Sequence, residues 1–243
     1  MTNIGRLSRS ARSGAEPSVR PLHAQEMFGA RAMRRIVRAL PPVESVYAAI
    51  RFTIMRSKLL SVMDLLLPAE GRILDVGCGF GLFAAYFAQT QPLRRVTGID
   101  TNARRIETAR RVMAKLGGTG HEFIAGDARA VRELAGDRFN AIYVLDVLHH
   151  VPHDDQEGLL ACLHDLLEPG GVLVLKDITT EPFLGLKFTE LLDRLMVGWD
   201  EPLAYRHHNE WGEILGRLGM RTRAVRVPDI LPYPHVVIAA WKP

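Results

Sequence analysis

Apolar residues change their spacing several times along this chain. Val43, Val46, Tyr47, Ile50 and Ile54 recur at helical intervals, and Leu59, Leu60, Val62, Met63, Leu66 and Leu67 carry a broad apolar face on to Pro68. A proline cannot continue a helix, so the pattern predicts one long helix, straight or kinked, from about Glu44 to Leu67. Short apolar runs follow. Arg72–Val76, Arg95–Asp100, His121–Ala128, Phe139–Asp146 and Leu166–Leu175 contain five strands with helical stretches between them, the pattern of a doubly wound parallel sheet. Beyond the fifth strand the spacing predicts helices around Leu186–Val197 and Glu210–Leu218, then strands Arg221–Val227 and His235–Trp241. Only Pro228–Pro234 separates these two strands. That is too short for a crossover helix, so they should pair antiparallel.

The first strand runs into Gly77, Gly79 and Gly81, and an apolar helix follows at once. Glycine accepts positive φ and has no side chain, so such a turn lets a nucleotide-like ligand lie against bare backbone at a helix N-terminus. A dinucleotide site needs G-x-G-x-x-G. Here the third glycine comes one position early, and Leu82 stands where that pattern has glycine. Asp75, just before the turn, suits a ligand with a positive group better than a pyrophosphate.

The run Leu74-Asp75-Val76-Gly77-Cys78-Gly79-Phe80-Gly81 resembles the first motif of the class I S-adenosylmethionine (SAM) dependent methyltransferases, of the small-molecule type. Later strands match in order and spacing, closely over residues 70–178 and loosely to the C-terminus. The resemblance implies a Rossmann-like α/β fold, a doubly wound seven-stranded sheet with an antiparallel C-terminal hairpin, and SAM as cofactor. Asp100 ends the second strand about 20 residues beyond the glycines, where a carboxylate can accept both ribose hydroxyls. Asp127 matches the acid that binds the adenine amino group in the family. Asp75, Gly77, Cys78, Gly79, Gly81, Asp100, Thr101, Asp127, Ala128 and Asp146 form the expected cofactor set. A single Asp at a strand end is more often a helix cap or turn former. Four at successive strand ends face one crevice in a parallel sheet, which favours a ligand.

Composition agrees with this reading. The chain has 243 residues, 47% hydrophobic and 24% charged, enough for one substantial core. We expect a disordered basic tail over 1–25, an N-terminal helical cap over 26–68 and the catalytic domain over 69–243, with an acceptor lid around 179–209. Cys78 and Cys162 are expected to be free thiols in a reducing compartment. No apolar run reaches the length of a membrane span, and the N-terminus lacks a secretory core, so a cytoplasmic protein is expected. Residues 1–60 hold eleven Lys or Arg against three acids, +8 within a total of +4. Peripheral contact with an anionic membrane stays open beside the plainer reading of a solvated basic tail. Nucleic acid is not favoured, because no aromatic residues interleave with the arginines.

A sulfonium methyl is already activated, so the protein needs chiefly to hold a nucleophile in line and, for a hydroxyl, to take its proton. His149 and His150 follow the fourth strand, and either could be that base or could merely shape the pocket. The Asn/Asp-Pro-Pro-aromatic motif of amine and amide methyltransferases is absent there. A small apolar, lipid-like or aromatic acceptor with a hydroxyl or carbon nucleophile is expected, in a cavity formed by the apolar helix near residues 44–67 together with Phe183, Phe188, Leu191, Leu192, Leu195, Met196 and Trp199, with Tyr205, His207, His208 and Trp211 following. Ordinary helix packing would explain the same residues. No metal is expected. Asp146 and Asp177 could ligate Mg²⁺ as in catechol O-methyltransferases, but those have Asn after the second acid where this chain has Ile178. A SAM-binding partner without catalysis, or a membrane-associated module, is the alternative.

Overall fold

The computed structural model describes residues 22–131, 133, 138–183, 185–187, 189–190, 194, 203–226 and 234–243. Two helices come first, α1 (Leu22–Ala39) and α2 (Pro42–Leu66). Helix α1 begins four residues inside the stretch expected to be a disordered tail. Ala32, Ile36 and Leu40 recur every fourth position and are buried, which anchors it. The rest of that tail lies outside the described residues. Pro42 fills the first turn of α2, where its missing N–H costs nothing. The far end stops as Pro68 dictates, with Leu67 extended at φ −87° and ψ 143°. The helix, which the sequence allows to be straight or kinked, is kinked at Arg56, with φ 45° and ψ 154°.

The sheet contains β1 (Glu70–Val76), β2 (Leu93–Asp100), β3 (Glu122–Ala125), β4 (Phe139–Leu145), β5 (Leu167–Ile178), β6 (Arg221–Arg226) and β7 (His235–Trp241). Their order is β3-β2-β1-β4-β5-β7-β6. The first five are parallel, and β7 runs antiparallel between β5 and β6. The seven-stranded mixed sheet and its antiparallel end are thus as expected. The turn inside that hairpin, Pro228–Tyr233, lies outside the described residues.

Helices α3 (Leu82–Thr90), α4 (Ala103–Lys115), α5 (His153–Leu166) and α6 (His208–Arg217) complete the layers. Alternate residues of each central strand face opposite ways. Ile73 and Tyr143 join the core under α1 to α4, whereas Leu74, Ile142 and Val144 join the one under α5 and α6. The chain leaves β1 towards β2 and β3, then returns to pass β1 on its other side as β4. Strand order therefore reverses between β1 and β4, where the loops diverge and open a crevice at the strand C-termini. Among the described residues no helix is long and apolar enough to cross a membrane.

Candidate active site at the strand ends

The glycine turn has the conformation its sequence demands. Gly77, Gly79 and Gly81 have φ of 72°, 54° and 75°, all in the left-handed region. The Gly77 and Cys78 amides both donate to the Ile99 carbonyl, at 2.8 and 3.0 Å, which pins the turn to β2. The glycines differ in why they are needed. A Cβ at Gly77 would lie 2.4 Å from Val147, and one at Gly81 2.9 Å from the Ala109 Cβ of α4. At Gly79 it would meet nothing within 4 Å, so this backbone faces open space.

Asp100 ends β2 beside that space. Its Oδ2 accepts the Gly79 N–H at 2.9 Å and its Oδ1 accepts the Asn102 N–H at 2.8 Å. Two backbone donors fix the carboxylate, and each oxygen keeps lone-pair capacity for a ligand. Asn102 in turn caps α4 through the Arg104 and Arg105 amides. Asp127 is arranged differently. It caps the short turn Ala128–Ala130 and pairs with the Arg129 guanidinium at 2.7 Å. Hydrogen bonds from Arg129 hold its carboxyl below the ordinary value.

Asp75 pairs in register with Tyr143 and points into the core. Burial pushes its carboxyl up to about 7, against the pull of the neighbouring Tyr143 hydroxyl and with the help of Asp100. A raised carboxyl keeps its proton in the fold after the unfolded chain has lost it. Its contribution to stability is complete below the ordinary value of 3.8 and disappears as pH rises through about 7. Asp75→Asn cannot ionise, so it should gain stability relative to the native chain across that window. Urea unfolding of both proteins at pH 5 and pH 8 checks this, and a difference independent of pH would refute it.

Asp146 sits just beyond β4 at φ 51°, an uncommon conformation for a residue with a side chain. Its Oδ2 accepts from Arg51 of α2 at 2.7 Å, and its Oδ1 pairs with Lys176 of β5. Burial alone would push this carboxyl up, but Lys176 and Arg51 override it and hold it far below the usual range. Asp177 turns the other way, towards the His149 Nδ1 at 2.5 Å, and also accepts the Ile178 N–H. The two acids weighed as metal ligands thus serve different partners, and no cluster of three metal-binding side chains occurs among the described residues.

The two histidines separate as well. His149 is buried, and its ring stacks with Tyr205 at 5.2 Å between centroids. His150 borders the cavity. Burial pushes its imidazole down to about 4, and His149 adds to this, only partly offset by Asp177 and Asp146. Its Nδ1 is buried with no hydrogen-bond partner among the described residues. The Gln156 side chain stitches this region together, donating to the Leu148, Val151 and Ala204 carbonyls.

These groups surround a cavity of about 1300 Å³. It exceeds the roughly 300–1,000 Å³ usual for one small ligand, so there is room for two. Asp75, Gly77, Cys78, Gly79, Asp100, Thr101, Asp127, Ala128, Asp146 and His150 border it; Gly81 and His149 do not. Gly81 lies behind the turn, where it lets α3 approach α4. Cys78 is a buried free thiol and Cys162 a half-buried one. The helix expected to help form the acceptor cavity does border it, but sequence reasoning missed its contacts: Tyr47 of α2 meets Phe80 edge-on at 5.3 Å, and Arg51 lies over Phe83. It also missed Lys176 as a partner of Asp146, although a lysine in an otherwise apolar buried strand was a visible signal.

Of the expected lid, Trp211 belongs to the core under α5 and α6, and Phe183 is exposed. Leu186 and Tyr205 pack against Ile54 and Ile178, joining this segment to α2. Phe188, Leu191, Leu192, Leu195, Met196 and Trp199 lie outside the described residues.

Fold and cavity together define a Rossmann-like domain with a large crevice at its strand ends. Residues 73–171 match the family model described as a methyltransferase domain. A ubiquinone biosynthesis O-methyltransferase of Methylocella silvestris is 40% identical over 111 residues, which cover 44% of this chain and 40% of that protein. An O-methyltransferase of Pyrenophora dematioidea is 34% identical over 124 residues, covering 50% and 45%. The chain spans less than half the length of these relatives. The magnesium protoporphyrin IX methyltransferase of Synechocystis PCC 6803, solved with bound SAH, superposes with a TM-score of 0.60 at 18% identity, covering 91% of this chain and 98% of that one. That likeness establishes the fold. Residues 73–171 are a methyltransferase domain, of the kind whose cofactor is S-adenosylmethionine.

Proposed function

We propose that this protein transfers a methyl group to a hydroxyl of a small apolar or aromatic acceptor. The observation that carries the reading is the Asp100 carboxylate, oriented by two backbone amides beside the open face of Gly79 and facing a cavity large enough for a second ligand. Asp100 accepts the ribose hydroxyls, and the Gly77, Cys78 and Gly79 backbone lies along the nucleoside. Thr101, Asp127 and Ala128 border its adenine end, where the Arg129 side chain must yield one Asp127 oxygen. Asp75 lies under the turn. Asp146 serves by position, since its oxygens hold Arg51 and Lys176. When bound, the cofactor supplies a methyl carbon activated by its sulfonium.

The acceptor side is formed by Tyr47, Phe80 and Phe83, which exclude water, and by His150. The names of the matched relatives favour oxygen as the methyl acceptor atom. In this reading His150 takes the hydroxyl proton, and the His149–Asp177 pair holds its neighbouring ring in place.

Asp100→Ala removes the acceptor of two ligand hydroxyls as well as a support of the turn. The loss is expected to be about 2–3 kcal/mol, hence tenfold or more in SAM affinity, with the fold retained. Titration calorimetry measures it, and an unchanged affinity would take Asp100 out of the site. Transfer of a radiolabelled methyl group to phenolic or lipid extracts tests the reaction itself. SAM binding without transfer to any acceptor would favour a binding module over an enzyme.

A further inference from the structure

On α2, Val43, Val46, Tyr47 and Ile50 follow one another at helical spacing and are 80%, 63%, 36% and 48% exposed. Scattered exposed apolar residues are ordinary on a protein surface, but four in one stripe, with few polar residues between them, are not. On α1 the exposed face carries Met27 and Phe28, then Arg31, Arg34, Arg35 and Arg38. These positions follow at intervals of one or three residues, and so lie on one side of the helix. The other side, with Ala32 and Ile36, is buried. The two helices pack together, and the Ser45 hydroxyl donates to the Val37 carbonyl at 2.9 Å. Between Met27 and Thr53 the only acid is Glu44.

We propose that this helical hairpin is a docking surface for an anionic lipid bilayer, with the α2 stripe entering the interface and the α1 arginines meeting lipid phosphates. Charge selects the occupant. A second copy of the chain, placed face to face on this surface, would bring arginine rows together, whereas an anionic bilayer offers the opposite sign over the whole area. Apolar burial and charge attraction act together on such amphipathic surfaces. The stripe also ends at the cavity: Val43 and Tyr47 belong to both. On the function proposed above, an acceptor dissolved in the bilayer would reach the site without crossing water.

The test is co-sedimentation of the full chain with vesicles of phosphatidylcholine alone or mixed with phosphatidylglycerol. Binding is expected only with the anionic lipid, and it should weaken at high salt. Val46→Glu with Ile50→Glu, and separately Arg34→Glu with Arg35→Glu, should each weaken it tenfold or more while thermal melting and SAM affinity stay near native. None of these four residues borders the cavity. Absence of binding to anionic vesicles at low salt overturns the proposal. So does binding that survives both double variants but vanishes when residues 1–21 are deleted, which would assign it to the basic tail. A concentration-dependent dimer broken by Val46→Glu with Ile50→Glu would show that a second copy covers the stripe instead. None of these failures touches the methyltransferase reading, which SAM calorimetry tests separately.

Discussion

Replacing His150 by Ala should lower turnover on a hydroxyl acceptor by about 10²-fold while leaving SAM affinity intact, because a positioned base acts on the transition state and not on cofactor binding. The pH profile should differ from that of an ordinary histidine. An imidazole near 6.5 would give a rate that climbs through neutrality. Burial and the charged surroundings of His150 move its midpoint down to about 4. A base works only when unprotonated, so the rate should rise with pH around 4 and be flat from about pH 6 upwards. The wild-type profile measured from pH 4 to 9 checks this, and a limb near 6.5 that disappears in His150→Ala would correct the midpoint while keeping the role. If both His150→Ala and His149→Ala retain near-native turnover on an identified acceptor, neither histidine is the base. The site would then act by positioning alone, on an acceptor that arrives ionised or intrinsically nucleophilic.

What the sequence revealed was local. Three glycines after an apolar strand specify a turn by their own backbone preferences, and alternating strand and helix patterns specify a parallel sheet. Asp100 was legible because the end of its strand fixes where it stands. Arg51 was not: it meets Asp146 across 95 residues, and along the chain it is only a charge that interrupts an apolar helix. The two adjacent histidines were indistinguishable in sequence, and burial separates them, one facing Asp177 and the other the cavity. Gly81 followed the cofactor motif by spacing, yet its contact is with α4, because spacing cannot say which side of a turn faces the ligand.

Asp64 was hidden in the same way, and its replacement should have the largest effect on stability. It is another charge interrupting the apolar run of α2, and the fold buries it against Arg94, also buried, 30 residues away. The Arg94 guanidinium pairs with the Asp64 carboxylate and also donates to the carbonyls of Asp64, Leu67, Pro68 and Phe87. These carbonyls lie at or just past the ends of α2 and α3, where intrahelical donors run out and a positive charge is favourable. One side chain thus closes two helices and ties both to β2. Asp64→Ala would leave a buried cation without the carboxylate it pairs with, at a cost of about 3–5 kcal/mol. Arg94→Met should cost a similar amount by stranding the carboxylate and the carbonyls together. Urea unfolding should show lowered midpoints with the denaturant slope preserved. Removing an ion pair with apolar residues is often harmless, but here the double variant should stay destabilised, because no methionine can satisfy the carbonyls that Arg94 serves. Recovery of native stability in Asp64→Leu with Arg94→Met would show that the pair matters only to itself and does not close the two helices.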